Sequence, residues 1–346
     1  MCIDCKLTKD DVYGTNIISP IQRPGPTSIV QPVPENSLPP NYPKYLKPIP
    51  VNTRDVEKEL LRITRGPEKQ AVKFLYSTRN AQAKAIKFQE LSNAVRDGEI
   101  PQQWIYNWQQ EYSIFVNNEL EPIWRETAKQ AGNSLGEQIT EKFGISLDFP
   151  ETAARLDKWV STRAADLTVN LTNGQMNAIK NTIRHFGIDE GMGPRELGRY
   201  IRPMIGLTER EEIAVEKVRA RLIKLGKTNK QVIQQTNNYQ ARLWRLRAER
   251  IARTETSFAY NNGSLEQMTQ YQERGLINDP IIKRYHTAED ERVCPWCNAL
   301  NRQVIGLKET FPGYTKRLPN VFVPPVHPNC RCTVIYEVVT VGGVVG

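Results

Sequence analysis

Residues 323–338 read VPPVHPNCRCTVIYEV and place one histidine and two cysteines behind a pair of prolines, ahead of an alternating apolar run. The chain has 6 cysteines and 3 histidines in 346 residues, so this loop takes an unusual share of them. Cys294 and Cys297 form a C-x2-C pair earlier in the chain. Two close ligand pairs separated by a loop are typical of a structural zinc site, in which two turns supply two ligands each.

The sequence therefore predicts one zinc ion with a structural role and four ligands, with Cys332 as an alternate: Cys294, Cys297, His327 and Cys330. The C-x2-C pair lacks the strand–helix setting of a redox motif. It also departs from the zinc deaminase signature, because the acid lies three residues beyond His286 and the proline lies inside the pair. Cysteines packed as small apolar side chains, or joined as disulfides, stay open as the alternative.

The segment 276–339 is too short and too rich in turn formers to fold reliably on its own core, and a metal ion can supply the missing stability. Its strands are expected near Ile281–His286, Gln303–Leu307 and Thr333–Val339. This predicts a small Cys/His zinc-knuckle module built on an antiparallel sheet. The last residues, 340–346, are expected to form a flexible tail.

Composition favours a polyanionic partner, because the formal net charge is +9 and 25% of the residues are charged. No run approaches the eighteen apolar residues of a membrane span, and the N-terminus MCIDCKLTKDD lacks the apolar core of a signal peptide. We therefore expect a protein that is made in a reducing cytosol and does not enter a membrane. Cys2 and Cys5 form a further C-x2-C pair, which stays unassigned.

Residues 1–50 are predicted to form an extended arm, because ten prolines lie between residues 17 and 50 and each lacks a backbone donor. Such an arm lies along a partner in a polyproline conformation or is only a flexible tail. Residues 51–149 show apolar side chains at helical spacing, with a break at Gly98 and Pro101. Six aromatic residues in this block are expected in the core: Trp104, Tyr106, Trp108, Tyr112, Phe115 and Trp124.

Residues 150–275 are predicted to be helical as well, and within them Ile213–Glu255 carries eleven basic residues against three acidic ones. Basic helices of this kind neutralise DNA phosphates without reading bases, although they also serve as solvated faces. The candidate DNA-binding residues are Arg242, Arg245, Arg247 and Arg250.

The stretch AERIARTETSFAYNNGSLEQ, residues 248–267, places a carboxylate and an amide in an apolar helical stripe. A buried charge must be paired or strongly hydrogen-bonded, so Glu255 is predicted to be a structural strut that anchors backbone amides or a basic group on the next element. Arg253 and Asn262 are likewise expected to have structural roles.

Three motifs in this order, RAERIARTETSFAYNNGSLEQM, KRYHTAEDERVCPWCNALNRQVI and VPPVHPNCRCTV, resemble the phage head morphogenesis family typified by the Mu F-like minor head proteins. The resemblance covers roughly Pro150 to Glu337 and includes the turn GMGPRELGRYI. Tyr285 stands where the family often carries tryptophan, which affects local packing. The resemblance implies a structural minor head protein that resides in the virion near the portal vertex and acts in head assembly and genome packaging or delivery. Its implied partners are the portal protein, other head proteins and packaged duplex DNA, which it contacts independently of sequence.

The expected fold is mainly α, with long helical hairpins followed by the small zinc-stapled antiparallel β (α+β) module and preceded by the proline-rich arm. The expected protein is not an enzyme. Two alternatives are a metal-dependent DNA-processing enzyme, which needs an open metal site with carboxylates, and a free cytoplasmic DNA-binding protein.

Overall fold

The computed structural model describes residues 53–150, 153–312, 321–340 and 343–345. The predicted proline-rich arm, with both N-terminal cysteines, lies outside the described residues. In the described part, helices precede a small sheet, so the prediction of a mainly helical chain with an antiparallel β module is confirmed.

The helices fall in chain order as α1 (Thr53–Ala85), α2 (Phe88–Asp97), α3 (Gln102–Phe115), α4 (Glu121–Phe143), α5 (Ala154–Thr182), α6 (Pro194–Met204), α7 (Glu209–Lys224), α8 (Asn229–Glu273) and the short α9 (Pro295–Leu300). Two π-helical segments, Val116–Leu120 and Ile183–Asp189, extend α3 and α5. With 45 residues at about 1.5 Å each, α8 is about 68 Å long and runs through the whole fold.

Local sequence signals fix several helix ends. Thr208 caps α7 in a capping box with Glu211, and Thr228 caps α8 in the same way. The predicted break between α2 and α3 falls at Gly98, whose φ of 69° lies in the left-handed region that favours glycine. The glycine-rich turn before α6 ends at Pro194, the first residue of that helix.

A large apolar core joins the helices, and the aromatic side chains of α3 and α4 lie in it as predicted, with one exception. Tyr106 is 59% exposed, because it lies on the face of α3 opposite to Trp104 and Trp108. The prediction that Tyr106 belongs to the core is wrong. The other aromatic positions follow the helical spacing that buries one face of an amphipathic helix.

Helix α8 also reaches a second core, which it shares with α4, the sheet and the cysteines. The contact between α4 and α8 is the most extensive between two helices of the described chain. It depends on Gly263, where an added Cβ would lie 2.1 Å from the carbonyl oxygen of Ala128. Since real Cβ atoms do not approach that closely, only glycine permits this helix crossing.

The sheet is antiparallel and has the strand order β2-β1-β3-β4. Its strands are β1 (Ile281–His286), β2 (Val304–Gly306), β3 (Thr333–Thr340) and β4 (Gly343–Val345). The first three lie where the sequence predicts them. The fourth lies in the segment predicted to be a flexible tail and pairs with the end of β3.

The central strand β1 is buried along its full length. Its charged side chains are therefore paired inside the protein: Nη2 of Arg284 donates to Glu337 at 2.6 Å, and Nζ of Lys283 donates to the carbonyl oxygen of Phe322 at 3.0 Å. None of the described helices combines the length and the apolar character that a membrane span requires.

Candidate functional site

The C-x2-C pair lies at the start of α9. Cys294 is the N-cap residue, and its Sγ accepts a hydrogen bond from the backbone N of Cys297 at 3.2 Å. Pro295 occupies the first helical position, where a missing backbone donor costs nothing. This tight turn points both sulfur atoms towards the loop that precedes β3.

That loop brings the second group of predicted ligands to the pair. Nε2 of His327 lies 3.3 Å from Sγ of Cys294 and 3.2 Å from Sγ of Cys297. Sγ of Cys297 lies 3.7 Å from Sγ of Cys330. The structure therefore brings all of the predicted zinc ligands together, although they lie in two separate segments of the sequence.

The distances that Cys297 and His327 make are close to those between ligands of one tetrahedral ion, whereas the four predicted ligand atoms do not all lie within 4.8 Å of one another. Around a zinc ion with bonds of about 2.3 Å to sulfur and about 2.0 Å to nitrogen, two sulfur atoms lie about 3.8 Å apart, and sulfur and nitrogen lie about 3.5 Å apart. The sulfur–sulfur distance of 3.7 Å agrees with this value, and the sulfur–nitrogen distances are shorter by a few tenths of an ångström. A disulfide has an S–S bond of about 2.05 Å. The four cysteines of the cluster are free thiols in the structure.

Cys332 also belongs to the cluster. Ligand atoms within 4.8 Å of one another define two groups, one of Cys294, Cys297 and His327 and the other of Cys297, Cys330 and Cys332. Cys297 is common to both groups and is therefore the centre of the cluster. The role of Cys332 as an alternate ligand stays a prediction.

The orientation of the His327 ring suits metal binding. Its Nδ1 lies 2.8 Å from the carbonyl oxygen of Pro328, which can only accept a hydrogen bond. Nδ1 therefore carries the proton, and in the neutral imidazole the lone pair lies on Nε2, which faces the cysteines. A backbone carbonyl that fixes the tautomer in this way is a common partner of a metal-binding histidine.

The surroundings of the cluster are apolar and favour thiolate at one position. Cys294, Cys297, Cys330 and Cys332 are all buried, and the hydroxyl of Tyr285 donates to Sγ of Cys297 at 3.7 Å. Burial raises the pKa of Cys330, but hydrogen bonds with the neighbouring thiols and the imidazole outweigh burial and bring that pKa well below its ordinary value. Thiolate is the form of cysteine that binds a metal ion.

Asn329 fastens the His327–Cys330 loop to α8. Its backbone N donates to Oγ1 of Thr254 at 2.9 Å, and its side-chain oxygen accepts from Nη1 of Arg253. Asn329 has a φ of 62°, a left-handed conformation that asparagine tolerates better than most residues. Arg253, predicted to be structural, thus holds the ligand loop, and its Nη2 also pairs with Glu68 of α1 at 3.0 Å.

An ion pair between Arg331 and Asp290 links the two ligand segments directly. Arg331 donates two hydrogen bonds to Asp290, with N–O distances of 2.8 and 2.6 Å. These hydrogen bonds hold the pKa of Asp290 well below its usual range. Asp290 precedes the first ligand pair and Arg331 directly follows Cys330, so this ion pair holds the two turns together.

Glu255 lies on the buried side of α8 and pairs with Arg163 of α5. Both side chains are nearly inaccessible to water, and Nε of Arg163 donates to Glu255 at 2.7 Å. The guanidinium also stacks over the ring of Phe258 at 4.6 Å. Glu255 therefore binds a basic group, as a strut requires, but that group lies on an earlier helix rather than on the next element.

Asn262 occupies a different place from the one predicted. It is only partly buried, and its side chain donates to the carbonyl oxygen of Phe258 in its own helix at 2.8 Å. The neighbouring Asn261 is the buried amide, at 1% exposed, and its Oδ1 accepts from Oγ1 of Thr333 in β3 at 2.9 Å. The residue that ties α8 to the sheet is therefore Asn261.

Two of the predicted DNA-binding arginines point into the protein. Arg247 is 1% exposed, and its guanidinium donates to the carbonyl oxygen of Gly206. Nη2 of Arg250 pairs with Glu211 of α7 at 2.9 Å. The prediction that Arg247 contacts DNA is wrong, because a side chain buried in the helical core cannot reach a phosphate. Arg250 is already neutralised inside the fold.

The other two predicted arginines are exposed on α8. Arg245 has a side chain that is 60% exposed and lies 3.8 Å from Glu249, a distance at which an exposed pair contributes little. Arg242 is exposed too. These two side chains are accessible to a partner. The number of charges in the sequence does not distinguish them from Arg247 and Arg250.

Residues 213–335 match the family model described as phage Mu protein F like protein. The matched segment begins in α7, includes all of α8 and contains both ligand turns, and the family resemblance of the sequence is confirmed there. It is shorter than the range from Pro150 to Glu337 over which the resemblance was expected. No curated protein and no solved structure matches the chain.

Proposed function

We propose that this chain, whose residues 213–335 carry the phage Mu F-like signature, is a structural minor head protein of a tailed phage. In this proposal it resides in the virion near the portal vertex, contacts the portal and packaged duplex DNA, and has no enzymatic activity. The family match carries the head assignment. The contact with the portal, the role in genome packaging and the contact with DNA are further parts of the proposal.

Zinc is the metal that best fits the cluster. The ligand set consists of cysteine sulfur and imidazole nitrogen, its cysteines are buried, and the distances that Cys297 makes to His327 and Cys330 are close to those in a tetrahedral site. Such a closed set is typical of structural zinc, whereas a catalytic zinc keeps one position for water or substrate. The ion would join α9 to the loop before β3 and so stabilise the sheet module.

The module is also built into the helical body, which supports a scaffolding role. Arg253 and Thr254 hold the ligand loop, and Asn261 holds β3. These three residues come from the motif on which the family resemblance rests. The signature residues therefore attach the proposed metal-stapled module to a long helix. This attachment fits a structural protein better than an enzyme.

Mass spectrometry of purified virions, quantified against the major capsid protein, tests the assignment. We expect the chain in mature particles at low copy number and in proheads together with the portal. A protein found in infected cells but absent from particles and proheads would instead be a free cytoplasmic protein, and the head assignment would be lost.

The arm offers a sharper test of the portal contact. Deletion of residues 1–50 should lower the amount of the chain in proheads, because a proline-rich segment loses little entropy when it lies along a partner. A shorter deletion of residues 1–16, which keeps all ten prolines of the arm, controls for truncation itself. Equal incorporation of both truncated chains would show that the arm does not recruit the protein.

A further inference from the structure

The end of the α7–α8 hairpin, residues 217–230, is far more exposed than the rest of either helix. Of its side chains, Leu222 is buried, and most of the others face solvent. We call residues 217–230 the basic hairpin end. It carries five exposed cations: Lys217, Arg221, Lys224, Lys227 and Lys230.

These five side chains form no ion pair with any other residue in the described ranges. Arg219, in the same helix, shows the contrast: it pairs with Glu190 at 3.3 Å and stacks on the rings of Phe186 and Tyr200. The fold thus uses one basic residue of this segment internally and leaves its neighbours uncompensated. Uncompensated surface charge of one sign attracts a partner of the opposite sign.

The uncompensated charge extends well beyond the hairpin turn, because the sequence has no acidic residue between Glu216 and Glu249. Lys217, Arg221 and Lys224 follow one another at spacings of four and three, so they lie on one face of α7. This row spans about 10 Å, since a helix rises about 1.5 Å per residue. Lys227 and Lys230 continue it across the turn into α8.

The composition of the basic hairpin end favours a polyphosphate over a protein surface. Four of its five exposed cations are lysines, and lysine is depleted in protein interfaces, where aromatic residues and arginine are enriched. The first turns of α8 add exposed amides, such as Gln231, Gln234 and Asn238, which are common donors to DNA phosphates. Ile223 and Leu225 are exposed at the turn, but two isolated apolar side chains do not make a docking surface.

We infer that the basic hairpin end is the principal contact of this protein with the backbone of duplex DNA, ahead of the arginines in the middle of α8. This inference rests on the proposed contact with packaged DNA and assigns it to a surface. The contact involves phosphates and reads no sequence. Arg242 and Arg245 flank the contact along α8, whereas Arg247 and Arg250 take no part in it.

The test compares two full-length variants that each lose five positive charges. In the hairpin variant, Lys217, Arg221, Lys224, Lys227 and Lys230 are replaced by glutamine. In the control variant, five exposed cations of α1 and the turn after it are replaced in the same way: Arg65, Lys69, Lys73, Lys84 and Lys87. Both sets are solvent-exposed, so circular dichroism should show the wild-type helix content and melting curve for each.

Binding to a fluorescein-labelled 30-base-pair duplex of mixed sequence is measured by anisotropy between about 50 and 200 mM salt. Each phosphate contact contributes about 0.9 to the slope of log K against log salt. We expect the hairpin variant to lose at least three such contacts, about 2.7 in slope, and to bind at least tenfold more weakly at 50 mM salt. The control variant should keep most of the wild-type slope and affinity.

Equal losses in both variants, or a wild-type slope in the hairpin variant, would overturn the assignment while the DNA contact itself stood. A wild-type protein that does not bind the duplex would overturn the DNA contact, and incorporation into heads would then decide the head assignment separately. A hairpin variant that keeps its slope but is lost from heads would identify a protein-binding surface, which also overturns the inference.

Discussion

Replacement of Cys297 by serine should damage the metal centre more than replacement of any other cysteine. Cys297 belongs to both ligand groups, lies 3.2 Å from Nε2 of His327 and 3.7 Å from Sγ of Cys330, and accepts the hydroxyl hydrogen bond of Tyr285. The change Cys297→Ser therefore removes a predicted ligand that no other atom of the cluster can replace. Cys332→Ser is the matched control, since it removes a thiol from the same cluster but leaves the four predicted ligands.

The expected magnitude follows from the number of ligands. Structural zinc binds with about 10–16 kcal/mol near pH 7, so one of four ligands accounts for about 3 kcal/mol, or roughly a hundredfold in affinity. We expect Cys297→Ser to weaken zinc binding by about that factor and Cys332→Ser by less than tenfold. Competition with a chromophoric chelator measures both affinities.

Loss of the ion should also unfold one part of the chain selectively. Hydrogen exchange after chelation should become fast in the described strands β1, β2 and β3 and stay slow in the buried helices of the main core, because the proposed ion would link only the turns of the sheet module. Purified protein without zinc, or a Cys332→Ser variant as weak as Cys297→Ser, would refute the assignment of ligands.

Three further changes test the packing that carries the site. Gly263→Ala should destabilise the fold by about 1–3 kcal/mol or more, since the new Cβ would meet Ala128 at 2.1 Å. Urea unfolding followed by circular dichroism measures this loss. An unchanged midpoint would mean that the helix crossing can relax. Glu255→Gln leaves the buried Arg163 uncompensated and should cost about 3–5 kcal/mol, whereas a cost below 1 kcal/mol would mean that water reaches this guanidinium. Burial raises the pKa of Glu212 from 4.5 to about 8, so the folded state keeps a proton that the unfolded state loses. The protonated carboxyl contributes its full stability below about pH 4.5, and this contribution is lost as the pH rises towards 8. Glu212→Gln should therefore be about 3 kcal/mol more stable than wild type at pH 7. Equal dependence of the free energy of unfolding on pH in the two proteins would contradict this.

Much of the fold could be predicted from local patterns. The three strands at Ile281–His286, Val304–Gly306 and Thr333–Thr340 fall where apolar runs lie between turn formers. The fourth strand was missed because a short valine and glycine run was interpreted as a tail. In the structure β4 pairs with β3, with Thr340 opposite Gly343.

The Cys/His cluster could be predicted because two close Cys/His pairs separated by a loop are typical of two turns that meet. The residues that hold these turns, such as Asn329 and Asp290, could not, since their partners are distant in sequence. Arg247 was misassigned because the net charge of a helix does not show which of its side chains point into the core. It lies three residues after Trp244, on the face that enters the core, while Arg242 and Arg245 lie outside it.

The same polar residues of α8 explain why a metal ion in a small module can matter to a large helical protein. Arg253 and Thr254 bind the ligand loop, and the next residue, Glu255, faces Arg163 in α5. About two turns further on, Asn261 binds β3. The loop and the core are thus fixed to adjacent positions on one rigid helix. That helix also carries Lys230 near its N-terminal end, about 34 Å from Arg253 at about 1.5 Å per residue. A single 45-residue helix therefore sets the distance between the metal module and the basic hairpin end, so partners bound at the two places are held at a fixed separation.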